Sequence, residues 1–215
     1  MSDPGPTEIV RLESGGAQAA RSALQRCISA GGIAVFPADG LYGLACDPLD
    51  AGAIARIHRL KGRDDGKPSA VMFFAPLAMR EILSALGPRT REALGALLPG
   101  PVTAVVANPE HRYPLACRED PDRLGLRLIE GPLGGARCAL FQTSANRSGE
   151  RAPSRFEDID ERLLADVDLA IDGGELVGAP STVVDLTALD DGGTWAVLRE
   201  GALSREELAD RLALG

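Results

Sequence analysis

Lysine is nearly missing from this chain. Of its 23 Lys and Arg residues, only Lys61 and Lys67 are lysines. Histidine is as scarce, with His58 and His111 alone. That counts against acid–base hydrolases, whose proton transfers run most often through imidazole. The four cysteines, Cys27, Cys46, Cys117 and Cys138, are widely spaced and form no C-x-x-C pair. With two histidines beside them, no zinc or redox motif can be assembled, and free thiols suit a reducing compartment. Long apolar runs are absent too: no stretch reaches the roughly 18–20 residues that span a bilayer. The N-terminal MSDPGPTEIV lacks the basic-then-apolar order of a signal peptide. A cytoplasmic chain is expected, with no membrane partner and no protein-bound metal. Three motifs are also missing: the Walker G-x-x-x-x-G-K-[ST], the dinucleotide G-x-G-x-x-G after a strand, and the hydrolase G-x-S-x-G.

What is present is ordinary in bulk and uneven in placement. A hydrophobic fraction of 45% and a charged fraction of 25% over 215 residues suit one well-cored domain. The net charge of −8 is split, with +3 on residues 1–156 and −11 on residues 157–215. An acidic total argues against a general nucleic-acid coat, though not against a local basic pocket for one phosphorylated ligand. Both lysines fall inside the eight residues KGRDDGKP, 61–68. In a chain that otherwise uses arginine, two lysines six positions apart imply that ammonium groups are wanted there, because a compact point charge and a planar fork are not interchangeable at phosphate. The alternative is a solvated helix end.

Hydrophobic spacing gives alternating α/β elements. Residues 16–30 read as a helix closed by Gly31-Gly32, and IAVF (33–36) as a buried strand. PADGLYGLACD (37–47) reads as a glycine-rich connection, then 51–60 as a helix and SAVMFF (69–74) as a strand. Helices near 76–86 and 89–97 precede strands at 102–107 and 124–128, and CALFQTSAN (138–146) reads as strand then loop. Strands at 167–171, 182–186 and 195–199 and a helix from 204 close the pattern. The expected fold is a single α/β domain with a mixed sheet, in which the short late connections favour antiparallel pairing.

Polar, glycine-containing segments interrupt these elements: 37–47, KGRDDGKP, TSANRSG (143–149) and APSTVVDL (179–186), with LPGPVT (98–103) as a rigid turn. Singly each is weak. Ser144 and Asn146 can cap a helix or shape an Asx turn, Ser181 can simply open a strand, and Tyr42 is more often core than catalytic. Arg127 alternates with Leu126 and Leu128, so it faces away from them and needs a carboxylate or an anionic ligand.

Their joint order is specific. P-x-D-x-x-Y-G-L-x-C-D, K-x-R-x-x-x-K-P, P-G-P-x-T, G-x-R, T-S-A-N-x-S-G, P-S-T-V-V-D-L and L-R-E-G, in that sequence from Gly31 to Leu203, resemble the YrdC family. The length resembles the family's short, single-domain form. The resemblance implies a twisted mixed sheet flanked by helices around a concave cavity, in a domain from residue 8 to 215 with residues 1–7 as a disordered N-terminus. It implies a nucleotidyltransferase that joins L-threonine, bicarbonate and ATP into threonylcarbamoyl-AMP and pyrophosphate, with Mg²⁺ arriving on the ATP. The product serves threonylcarbamoyladenosine formation at position 37 of tRNA, so tRNA or a downstream threonylcarbamoyl transferase complex is an expected partner.

Carried over motif by motif, Lys61 and Arg63 become the catalytic cations. Lys61, Arg63, Lys67, Ser144, Asn146 and Arg199 become ATP ligands, and Ala38, Arg127 and Ser181 become substrate contacts. The chain departs from the family pattern at Ala38, where Thr is common, at Gly40, at Met72, where some relatives have His, at Arg123, where Thr is frequent, and at Ala152. The phosphate side is thus better kept than the amino-acid side. Two alternatives follow: a paralogous enzyme of the same fold acting on another small carboxylate, or a non-catalytic RNA-binding or ribosome-associated module.

Overall fold

The structure is a computed structural model that describes residues 6–62 and 67–213. Among the described residues ten strands form one mixed sheet. They are β1 (Glu8–Arg11), β2 (Ala34–Pro37), β3 (Tyr42–Cys46), β4 (Ala70–Phe73), β5 (Val102–Ala107), β6 (Arg123–Leu128), β7 (Leu140–Ser144), β8 (Leu169–Asp172), β9 (Thr182–Asp185) and β10 (Ala196–Arg199). Their order is β1-β8-β2-β3-β7-β4-β6-β5-β9-β10. The late β9–β10 pair is antiparallel, as its short connection requires, whereas β4–β6 and β5–β9 run parallel.

Two strands escape the sequence reading. β1 pairs in parallel with β8 at the sheet edge. Thr7, just before it, donates to the carbonyls of Leu164 (2.7 Å) and Val167 (2.9 Å). Residues 1–5 lie outside the described residues. β3 lies inside the supposed glycine-rich connection. It forms an antiparallel hairpin with β2, Pro37 opposite Tyr42, closed by a bond from Ala38 N to Leu41 O of 3.0 Å. Asp39-Gly40 sits at the tip, with Asp39 at φ 79°. Asp-Gly at a two-residue hairpin loop is the arrangement that a left-handed first turn residue favours.

Among the described residues seven α-helices flank the sheet: α1 (Leu12–Ser29), α2 (Ala51–Leu60), α3 (Arg80–Ser84), α4 (Pro88–Leu97), α5 (Pro114–Cys117), α6 (Glu161–Ala165) and α7 (Arg205–Ala213). α1 is broken at Gly16 (φ 72°, ψ 161°), which is where the sequence places its start. α2 begins at Asp50, whose carboxylate accepts from Ala53 N at 2.9 Å. It buries Ala53, Ile54 and Ile57, and it ends at Lys61 with Gly62 in the left-handed region at φ 61°. That is the usual reason for glycine one residue past a helix.

Strand alternation divides the core. Leu124, Leu126 and Leu128 of β6 join Val102, Ala104 and Val106 of β5 in the larger cluster, under α2 and α4. The opposite face carries a smaller cluster, where Leu24 and Ile28 of α1 meet Phe36, Ala45, Met72 and Leu140. Past β4 that second face has no helix filling it in this cluster, and the cavity opens there.

Candidate active site

The cavity holds about 570 Å³ and is floored by Ala70, Gly125, Val105 and Val183 on four neighbouring strands. Small side chains make this floor low, and cations stand around it. Arg127 is the most buried of them, at 5% exposure. Its Nη1 donates to Gln142 Oε1 (3.1 Å) and its Nη2 to the Ala38 carbonyl (3.4 Å), and Nη2 lies 3.5 Å from Asp39 Oδ2. Nε has no hydrogen-bond partner. Burial, partly offset by Asp39, pulls the guanidinium down to about 10, so it stays charged at neutral pH. A buried fork with an unmet donor beside a cavity suits a ligand carboxylate.

The hairpin tip forms one wall. The Asp39 carboxyl is shifted up, since burial outweighs the pull of Arg127. Gly40 has a steric reason for its smallness: a Cβ there would overlap the backbone of Ala179, and Gly40 O accepts from Gly178 N at 2.8 Å. The departure at position 40 thus lets two loops close on each other over the cavity. Met72 is 0% exposed in the smaller core, level with Arg127 across the sheet, and is not part of the wall. Tyr42 lines the cavity, yet its hydroxyl is committed, donating to Gly174 O (2.8 Å) and accepting from Gly173 N (2.9 Å).

The opposite wall comes from β5, β9 and β10. Arg199 Nη2 donates to Ser181 O (2.7 Å) and approaches Ser181 Oγ (3.3 Å), which in turn lies 2.9 Å from Thr103 Oγ1. Register explains the meeting, since Thr103 pairs with Val183 and Val183 with Arg199.

Of the residues singled out from the sequence, Ala38, Lys67, Arg127, Ser144, Ser181 and Arg199 line this cavity. Arg63 lies outside the described residues. Two placements differ from expectation. Lys61 is 3% exposed and donates to the backbone carbonyls of Ser144 and Asn146 (the latter at 2.7 Å). Its ammonium therefore sits behind the 144–146 loop instead of in the cavity wall. Asn146 turns its side-chain amide to Arg147 O and Glu150 O (2.8 and 2.7 Å), shaping the loop as an Asx residue does. Both placements have one physical cause: a loop whose carbonyls converge needs a cation and an amide to satisfy them. Gln142 and Thr103 were missed. Gln142 sits in a run read as strand then loop, where only the alternation Leu140, Gln142, Ser144 signals the polar face, and Thr103 entered only as part of the P-G-P-x-T motif.

Residues 26–201 match the Sua5/YciO/YrdC family model, described as "Telomere recombination". The threonylcarbamoyl-AMP synthase of Thiobacillus denitrificans is 32% identical over 177 residues, 79% of this chain and 92% of the relative. The chain belongs to the Sua5/YciO/YrdC family. The human threonylcarbamoyl-AMP synthase is also 32% identical, over 87% of this chain and 69% of that protein. Among solved structures of the family, P. abyssi Sua5 complexed with L-threonine superposes with a TM-score of 0.81 at 27% identity, covering 96% of this chain and 61% of that one. E. coli YciO superposes at 0.78 with 26% identity, over 97% of this chain and all of that one. The mixed α/β fold is thus the family's. Among the described residues no helix is long and apolar enough to cross a membrane.

Proposed function

We propose that this chain synthesises L-threonylcarbamoyl-adenylate from L-threonine, bicarbonate and ATP, as a nucleotidyltransferase supplying threonylcarbamoyladenosine formation at tRNA position 37. The observation that carries the reading is Arg127, a buried guanidinium with an unpaired Nε at the edge of a cavity ringed by further cations. It is supported by relatives named threonylcarbamoyl-AMP synthase and by the threonine complex of P. abyssi Sua5.

The chemistry then follows. The threonine amine and bicarbonate give a carbamate and water, and a carbamate oxygen attacks the α-phosphorus as pyrophosphate leaves. Two anions must meet, so the protein's task is to neutralise and orient. Arg127 holds the threonine carboxylate. Lys67 meets the phosphates, Arg63, outside the described residues, is given the same role by its motif alone, and Ser144 and Arg199 fix the intervening atoms. Lys61 contributes by holding the loop that presents Ser144. Mg²⁺ is proposed to enter as part of the substrate MgATP. No side-chain nucleophile is needed, which fits a site without histidine.

Pyrophosphate release in the presence of L-threonine, bicarbonate, Mg²⁺ and ATP tests this. Release that is indifferent to threonine overturns it. The second reading, another small carboxylate as acceptor, is favoured by Ala38, which stands where the family commonly has a threonine hydroxyl, and by the departure at Gly40 beside it. An amino-acid panel in the same assay separates the two.

A further inference from the structure

Arg123 opens β6 and faces the cavity four residues before Arg127, with Gly125 between them. The two arginines are built alike. Each is tied through one Nη2 to a carboxylate, Arg127 to Asp39 at 3.5 Å and Arg123 to Asp185 at 2.6 Å. Each has a buried Nε without a hydrogen-bond partner. They lean opposite ways: Arg127 reaches over β4 and β7 toward the hairpin, Arg123 over β5 toward β9. Four residues of strand separate their Cα atoms by about 13 Å.

The surroundings indicate what Arg123 meets. Lys67 leads into β4 and Arg123 opens β6, and these strands lie side by side in parallel. Both cations therefore stand at the same end of the cavity. Ser144, which ends β7 antiparallel to β4, is at that end too. The carboxylates there do not exhaust Arg123. Asp185 spends Oδ1 on Thr187, backbone (2.9 Å) and hydroxyl (2.7 Å), leaving Oδ2 for one guanidinium nitrogen. Asp120 stands 3.5 Å from Nη1, an ion pair too long for a good hydrogen bond. A guanidinium has five N–H donors. Without Arg123, Asp120, which lines this end of the cavity, would meet an incoming polyanion without that cation beside it.

We propose that Arg123 is an affinity-determining residue for the polyphosphate of the nucleotide, held in place by Asp185 and released from Asp120 when phosphate binds. This rests on the ATP reading above, and the test keeps the two apart. Binding of ATP and of L-threonine is measured separately by calorimetry on the full chain, with no turnover required. If the wild type binds no ATP, the functional reading fails. If it binds ATP, Arg123→Gln is expected to raise the ATP dissociation constant about tenfold. The threonine constant should stay within about twofold, and Arg123→Lys should recover part of the loss because charge remains while the fork does not. Asp120→Asn is expected to tighten ATP binding several-fold in the wild-type background and not in Arg123→Gln. That coupling is one a purely structural ion pair would not give. It also carries the test should Arg123→Gln fail to fold. Equal ATP binding by wild type and Arg123→Gln, or an Asp120→Asn gain that persists without Arg123, overturns the proposal.

Discussion

Lys61 and Lys67 are six residues apart and chemically the same, yet the fold uses them in opposite ways. Lys61 closes α2 with its ammonium buried among the carbonyls of the 144–146 loop, at 3% exposure. Lys67 stands exposed at the rim of the cavity. A charge turned inward holds protein to protein, and one turned outward waits for a ligand. The same division runs through the arginines, where Arg127 is nearly as buried as Lys61 but borders the cavity. Scarcity of lysine in the sequence located the segment that matters. It did not distinguish the brace from the contact.

The sharpest way to break this comparison is Lys61→Ala. It removes two charge-assisted hydrogen bonds and leaves the Ser144 and Asn146 carbonyls without them, a loss of about 3 kcal/mol at roughly 1.5 kcal/mol each. Stabilities of single domains run only to about 5–15 kcal/mol, so chemical denaturation should show the change plainly. Activity should fall with it, because the loop presenting Ser144 loosens. Lys61→Arg should not rescue, since a planar fork does not fit a site where carbonyls converge on one point. If Lys61→Ala keeps wild-type stability and loses only ATP binding, Lys61 is a ligand contact and the comparison is wrong.

Arg127→Gln comes next in size. The expected result is a rise in the threonine dissociation constant of about 30- to 100-fold, or about 2–3 kcal/mol for a desolvated charge-assisted pair. ATP binding should move far less. Calorimetry with each ligand alone reads both. Lys67→Ala should reverse the pattern, with ATP weakened by about fivefold and stability within about 0.5 kcal/mol of wild type, as for other exposed substitutions. A Lys67→Ala protein that melts early would erase the distinction between the two lysines.

How far this was legible beforehand depends on the kind of signal. Where apolar residues repeat with a clear period, the elements lie where the spacing puts them: α2 at Ala51–Leu60, β5 at Val102–Ala107, β6 at Arg123–Leu128. β3 was lost because Tyr42–Cys46 is short and contains Gly43, and the Asp39-Gly40 hairpin signal before it was taken for loop chemistry. At the site, residue type was readable and direction was not. Arg127 betrayed its face through the flanking leucines, whereas the direction of Arg123 was not read, although its neighbour Leu124 is core. Nothing local says that the carbonyls of residues 144 and 146 will meet over residue 61, since that contact spans 83 and 85 residues of chain. The alanine at position 38 reads as a missing hydroxyl in sequence. In the structure its backbone carbonyl receives Arg127, a contact that does not depend on the side chain at that position.

The smallest expected effect concerns Asp39, the partner that makes Arg127 differ from Lys61. Its carboxyl is shifted upward from an ordinary 3.8, because burial outweighs the attraction of Arg127. A folded state that holds the proton more tightly than the unfolded chain loses stability as pH rises from 3.8 through the folded value, and above that the loss stays constant. Asp39→Asn removes the titration while tolerating the left-handed backbone, which asparagine adopts more readily than most residues. The variant should therefore melt about 1 °C above wild type at neutral pH, in keeping with a fraction of a kcal/mol in a domain of this size. The gain should shrink to nothing as pH falls toward 3.8. Thermal melts at several pH values decide it. A variant that melts lower at neutral pH would mean that the Asp39–Arg127 pair outweighs the burial of the carboxylate. In that case Arg127 would be as firmly braced by the protein as Lys61 is, and the threonine carboxylate would have to displace Asp39 to reach it.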